Sequence, residues 1–364
     1  MKAGFLRRKD VKLHLMLAAL IACPSAAHAL RQAPDSHAVV TVGTATAKRG
    51  EKAYGEIVVP AGVDSGTRIA VAVINGSRPG PVLAVVSGAH GTEYASIVAV
   101  SRLIDRIDPA GLAGTVILIP LVNVASFEQK VPHVNPIDHK SMNRYYPGNP
   151  SGTQTERASY LITKEVVEQS DHLIDLHGGD LDESLRPYSY WTVTGNAAQD
   201  SISRGMVLAF GLDHIIISTD RPTDPAASRY LENTASTRGK PSITAEAGFS
   251  GMVTTADVDA LIDGSLNVMG YLHMMVRPSQ KKKNLIWFDK VVTVTSDSAG
   301  IFNPLVQRDT WVSAGMKLGY VTDYLGRRLF EAVAPEAGLV LYIDAVPTML
   351  KGGTVANIGI QKKP

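Results

Sequence analysis

The sequence predicts an α/β domain built on a largely parallel or mixed sheet, followed by a small all-β domain. Three observations carry this expectation. Strand-like and helix-like segments alternate as far as about residue 276. The strands are nearly continuous apolar runs, which implies burial on both faces. Beyond a polar break at 278–283, short strands cut by Gly, Pro and Asp replace the alternation. At 364 residues the chain is long enough for a large core and more than one domain. Its 45% hydrophobic and 19% charged residues are ordinary for a globular protein.

The first segment is not expected to belong to the fold. Lys2, Arg7, Arg8, Lys9 and Lys12 make a basic start, residues 13–23 form a short apolar run, and Ala27-His28-Ala29 offers small residues at a cleavage site. This order predicts a secretory signal over 1–29, cut after Ala29, and export to a bacterial periplasm. The run is too short for a permanent membrane span, and no later segment is long and apolar enough for one. Cys23, the only cysteine, follows Leu20-Ile21-Ala22 in a lipobox-like context, so a lipoprotein anchored through Cys23 is the alternative. Without residues 1–29 the chain has 31 basic against 33 acidic groups, a net charge of −2. The basic isoelectric point therefore comes from the signal and does not argue for nucleic acid. A chain cut after Ala29 has no thiol and no disulfide.

Residues 30–66 read as a mixed lead-in with a short strand near 39–42. Further strands are expected at 68–74, 81–87, 115–121, 172–176, 188–193, 214–217 and 242–245. Helices are expected at 94–107, where Ile97, Val100, Leu103, Ile104 and Ile107 recur at helical spacing, and at 155–169, 203–210 and 257–275. The catalytic unit is thus placed at 30–277, a linker (PSQKKK) at 278–283 and the β domain at 284–364.

Four motifs carry candidate chemistry. The apolar strand 81–87 runs into Gly88-Ala89-His90-Gly91-Thr92-Glu93, then a helix. His90 and Glu93 therefore fall at a strand's carboxyl end, where α/β sheets place ligands. The strand 172–176 ends in His177-Gly178-Gly179, with Asp175 on the same face as His177 and His172 at an odd offset. Two His and one carboxylate from two strand ends suit a catalytic zinc set with an open position for water. A structural zinc would need a fourth ligand, preferably a thiol. In Met142-Asn143-Arg144-Tyr145-Tyr146-Pro147-Gly148, Arg144 lies in a polar loop. It is either a carboxylate clamp or a solvated loop residue. In Thr244-Ala245-Glu246-Ala247-Gly248, Glu246 ends another apolar strand and suits a proton shuttle beside a metal.

Taken together, GAHGTE, PIDHKSMNRYYPG, DLHGG and AEAG, in that order, resemble the succinylglutamate desuccinylase/aspartoacylase family, which has a zinc carboxypeptidase-like fold. The resemblance covers about 65–275 and reaches into the tail. It implies a mixed-sheet catalytic domain with one Zn2+ held by His90, Glu93 and His177. It further implies Asn143 and Arg144 as binders of a substrate carboxylate, and Glu246 as general base. The tail, with Ala299-Gly300-Ile301-Phe302 and Ala334-Pro335-Glu336-Ala337-Gly338, resembles barrel-sandwich, lipoyl-like domains. Its turn Asp323-Tyr324-Leu325-Gly326-Arg327-Arg328 lacks the lysine of a carrier. Two features depart from the family. His139 stands where members usually have Gly, and the stretch Gln129-Lys130-Val131-Pro132-His133 lacks the Arg that in members helps polarise the scissile carbonyl, leaving that role to Lys130, to His133 or to the zinc alone.

The expected function is a zinc-dependent amidohydrolase acting on linear amides: a deacylase of an N-acyl amino acid or related small carboxylate-bearing substrate. An exported metallocarboxypeptidase acting on peptides or wall fragments shares the chemistry and differs in pocket shape. A non-catalytic zinc-binding module would be expected to lack a ligand or the base, and all are present. Asp175 is a candidate to orient a ligand imidazole or, equally, a solvent-facing strand-end acid. The sequence does not indicate an oligomeric state.

Overall fold

The computed structural model describes residues 37–278 and 284–362, besides Met1. The signal at 1–29, the cut after Ala29 and Cys23 lie outside the described residues, as does the linker beyond Pro278. The chain opens with β1 (Val39–Val42), β2 (Ala45–Lys48), β3 (Glu51–Val59), β4 (Thr67–Asn75) and β5 (Arg78–Ser87). Then come α1 (Tyr94–Arg106), β6 (Ala113–Ile119), α2 (Val124–Gln129), α3 (Gln154–Ile162), β7 (His172–His177), β8 (Glu183–Leu185) and β9 (Tyr188–Thr192). The catalytic half closes with α4 (Ala197–Phe210), β10 (His214–Ser218), α5 (Leu231–Ser236), β11 (Ser242–Glu246) and α6 (Thr255–Tyr271).

The expected α/β alternation is present, on a large mixed sheet. Strands β5, β7 and β11 at its centre are mutually parallel, and β6 lies parallel to β5. Their runs are buried on both faces: Leu83, Val85, Ile174, Ile243 and Ala245 face α1, α4 and α6, while Val82, Ala84, Val86 and Leu173 face the layer that includes α3 and α5. This two-sided burial is why these strands read as continuous apolar runs rather than alternating ones.

Differences from the expected elements have local causes. The lead-in holds β1, β2 and the nine-residue β3. Among the described residues β3 pairs only with β4 along the sheet's edge; Lys52, Tyr54 and Glu56 share its more exposed face and Glu51 starts the other, which masked it as a strand. Helix α4 begins at Ala197, well before 203, because Asn196 caps it by accepting from the N–H groups of Ala198 and Gln199.

After 284 the described chain is all β, and its strands do two things. Strand β12 (Ile286–Thr295) pairs parallel with β10 and so extends the main sheet. Strands β13 (Gly300–Pro304), β15 (Lys317–Thr322), β16 (Arg328–Val333) and β18 (Thr348–Met349) form a separate four-stranded sheet. Meanwhile β14 (Trp311–Val312), β17 (Gly338–Asp344) and β19 (Thr354–Gln361) continue the main sheet beyond β12, with β8 paired to β17. Phe288, Leu339 and Leu341 pack with Leu185, Tyr188 and Ile216, so the tail shares a core with the strands beside the site. No helix among the described residues is long and apolar enough to cross a membrane.

Candidate active site

The parallel strands β5, β7 and β11 end on one edge, and their registers align the motifs. Ser87 pairs with Leu176, and Glu246 pairs with His177. The loop after β5 then delivers His90 and Glu93 beside His177. Two glycines make that loop possible. Gly88 adopts φ +72°, a region that favours glycine, and a Cβ on Gly91 would lie 2.2 Å from the Phe127 backbone nitrogen at α2. Glu93 occupies the N-cap of α1 without capping it through its side chain, which leaves the carboxylate free to face the strands.

His90 Nδ1 lies 2.6 Å from Glu93 Oε1, and His177 Nδ1 lies 2.9 Å from Glu93 Oε2. One ligand atom from each residue falls within 4.8 Å of the others. Both rings thus turn Nδ1 to the carboxylate and Nε2 outward. His90 Nε2 is 3.3 Å from Ser141 Oγ, and His177 Nε2 is 3.2 Å from Asp175 Oδ1. The Asp175 contact is an ion-pair distance without hydrogen-bond geometry, and both of its buried oxygens lack a hydrogen-bond partner among the described residues. Burial alone would raise the Glu93 carboxyl, but the imidazoles of His90 and His177 hold it down at about 2. Three convergent donors, and the buried Asp175 carboxylate beside them without a hydrogen-bond partner among the described residues, fit a metal cation with an open position.

The other expected residues divide into those that line the same cavity and those that do not. Asn143, Arg144 and Glu246 line it with His90, Glu93 and His177, in a volume of about 290 Å³. Asn143 is nearly buried. Its Nδ2 is 3.3 Å from His177 Nε2, and its Oδ1 accepts from the Leu231 N–H at 3.1 Å. Arg144 donates to its neighbour's carbonyl, Asn143 O, and lies 4.8 Å over the Tyr230 ring, without a carboxylate partner among the described residues. Burial pushes the Glu246 carboxyl well up; His177 opposes this, while Glu93, Glu183 and Asp175 add to it. Lys130 is exposed at the C-cap of α2 and lines neither this cavity nor its neighbour. His133 is also absent from this cavity and lines the adjoining one, which shares His90 and Arg144 with it; its ring centroid is 6.3 Å from that of His90. Its Nε2 is 2.8 Å from Asp182 Oδ1 and its backbone N–H donates to Asp180. Burial lowers the His133 pKa, but Asp182 and Asp180 more than offset this and raise it to about 9. His139 takes φ +56°, a conformation glycine adopts freely, and keeps its side chain exposed.

Several lining residues carried no sequence signal. Arg221 and Tyr230 sit in the polar loop before α5, and Glu232 in its first turn. Tyr342 and Asn357 arrive from the tail strands β17 and β19. Tyr188 and Tyr190 alternate along β9 and are the pair that a period-two reading could have singled out.

The fold and the donor set define a class: a mixed-sheet α/β protein with a three-donor metal cradle at the carboxyl edge of parallel strands. Residues 79–272 match the succinylglutamate desuccinylase/aspartoacylase catalytic domain, and the chain belongs to that family. It is 25% identical over 286 residues to the N-alpha-acetyl-L-2,4-diaminobutyric acid deacetylase of Halomonas elongata, covering 75% of this chain and 76% of that protein. Its fold is shared with a succinylglutamate desuccinylase/aspartoacylase from Rhodobacter sphaeroides (TM-score 0.76, 21% identity, 86% of this chain and 96% of that one). It is also shared with the product-bound ectoine utilization protein EutE (DoeB) of Ruegeria pomeroyi (TM-score 0.77, 23% identity, 86% and 96%).

Proposed function

We propose that this chain is an exported, zinc-dependent deacylase that hydrolyses the amide of an N-acyl amino acid or a related small carboxylate. The observation that carries this reading is the convergence of His90, Glu93 and His177 on one point, with Glu246 in register beside His177. The deacetylase from Halomonas elongata supports the deacylase over the peptidase reading.

His90, Glu93 and His177 would hold a zinc ion, which when bound would supply Lewis-acid activation of a water and of the amide carbonyl. Arg144 holds the substrate carboxylate through two parallel hydrogen bonds, with Asn143 anchoring the loop beneath it. Glu246 takes the proton from the attacking water as the new C–O bond forms. It then delivers that proton to the amide nitrogen as the C–N bond breaks. Asp175 fixes the outward nitrogen of His177 and hence the ring's orientation. Purified protein assayed for metal and for hydrolysis of N-acyl amino acids against C-terminal dipeptides tests the reading. A metal-free active enzyme, or cleavage of dipeptides alone, overturns it.

Two further results are expected. Arg144→Ala raises KM and lowers kcat, because positioning is lost with binding, and it erases the preference for free acids over their amides. A variant that still discriminates acid from amide as the parent does assigns the carboxylate to another group, Arg221 in the same cavity being the first to test. For export, N-terminal sequencing of the mature protein is expected to begin at Leu30 or an immediate neighbour. A lipidated Cys23 in the membrane fraction supports the lipoprotein form instead, and an intact Met1 in the cytoplasm defeats both.

A further inference from the structure

The two arginines of the catalytic cavity share one aromatic ring, and little else holds them. Arg144 comes from the turn Met142–Arg144, and Arg221 and Tyr230 from the loop between β10 and α5; all three line the cavity. The Arg144 guanidinium lies 4.8 Å from the Tyr230 ring centroid, and that of Arg221 lies 4.0 Å from it. Arg221 is also 5.9 Å from the Tyr190 centroid. Among the described residues the hydrogen bond of the Arg144 side chain goes to Asn143 O. Arg221 makes neither a hydrogen bond nor an ion pair among them, and its buried Nε is unpartnered. Its charge acts on Glu232 through space, without an ion-pair contact.

The ring itself is anchored through its backbone. Tyr230 stands at the N-cap of α5, and its carbonyl accepts from the Thr234 N–H at 2.9 Å and from Thr234 Oγ1 at 2.8 Å. The next N–H, that of Leu231, donates to Asn143 Oδ1, and the Leu231 side chain is buried in the core. Asn143 precedes Arg144 directly, so this bond ties the start of α5 to the clamp loop. The kind of partner matters for binding. A carboxylate between the arginines would hold them firmly but would neutralise them, and a substrate carboxylate would then have to displace it. An aromatic face attracts a guanidinium through its quadrupole and carries no net charge. It therefore steadies two like charges while leaving their N–H donors to an incoming anion.

We propose that Tyr230 is a positioning residue, whose ring holds Arg144 and Arg221 together as a two-guanidinium receptor for the substrate carboxylate. This rests on the deacylase reading and on Arg144 as the clamp, and it adds the group that keeps the clamp aligned. Tyr230 acts through the arginines in this account. Its hydroxyl makes no bond to the substrate and moves no proton of the reaction.

The test measures kcat and KM of the metal-replete protein for N-acetylalanine, N-acetylmethionine and N-acetylglutamate, and kcat/KM for their α-amides. Tyr230→Leu removes the π face. It is expected to raise KM for the free acids by about tenfold or more and to lower kcat with it, while leaving the amides and the bound zinc unchanged. Tyr230→Phe, which keeps the face and drops the hydroxyl, is expected to match the parent. Fluorinated phenylalanines at position 230 keep the ring's shape and weaken its negative face, so KM for the acids is expected to climb with fluorine content. This series answers the question if the leucine variant does not fold. The inference is overturned if Tyr230→Leu keeps the parent's KM for the acids, or impairs acids and amides alike, as a purely structural residue would. It is equally overturned if Tyr230→Phe is as impaired as Tyr230→Leu, which assigns the effect to the hydroxyl, or if the fluorinated series is flat. Each of these outcomes leaves the deacylase reading standing, whereas failure of the parent to cleave any N-acyl amino acid overturns both.

Discussion

Glu246→Gln is expected to leave the protein folded and metal-replete while lowering kcat by about 100-fold or more. Glu246 is not among the three residues whose ligand atoms converge, so its loss leaves the cradle complete. Its partner in register is His177, which puts its carboxylate at the reacting edge. The amide isostere keeps size and polarity but cannot accept and return a proton. KM for the substrate is expected to change little, because carboxylate binding is assigned to Arg144. Steady-state kinetics with metal analysis of the same sample checks both parts, and near-native turnover in the variant removes Glu246 from the mechanism.

The second large effect concerns the metal. His177→Ala is expected to lose most bound zinc and all measurable turnover. Glu93 would keep only one of its two imidazole neighbours, and Asp175 would lose the contact it makes with His177. Breaking a buried charged arrangement costs about 3–5 kcal/mol when one partner is removed, less where the stranded acid takes up a proton. Some loss of thermal stability is therefore expected with the loss of metal. Chelation of the unmodified protein separates the two effects: activity should fall with zinc content and return when zinc is restored. Full metal occupancy in His177→Ala, or activity indifferent to chelation, contradicts the three-residue cradle.

Much of this architecture could be read before any coordinates, for local physical reasons. A strand buried on both faces has no polar alternation, so β5, β6, β7 and β11 announced themselves as apolar runs. A chain that leaves such a strand through Gly88 or into Gly178-Gly179, with His and Glu beside the glycines, marks a strand end where side chains can converge. The order of the four motifs made the resemblance specific. Strand β3 escaped because an edge strand needs only one apolar face, and the start of α4 because a capping Asn196 carries no periodicity.

The sequence by itself determined the class of fold, the strands at its centre and the residue types at their ends, because these depend on period, burial and turn chemistry within a few residues of chain. Only the tertiary structure decided which strand lies beside which, and therefore that Glu246 stands level with His177 rather than elsewhere along the sheet. Only it joined the tail to the main sheet through β12, bringing Tyr342 and Asn357 to the cavity. The physical reason is that lateral strand order and cavity lining arise from contacts between segments up to hundreds of residues apart. Those contacts leave no periodic trace in either segment alone.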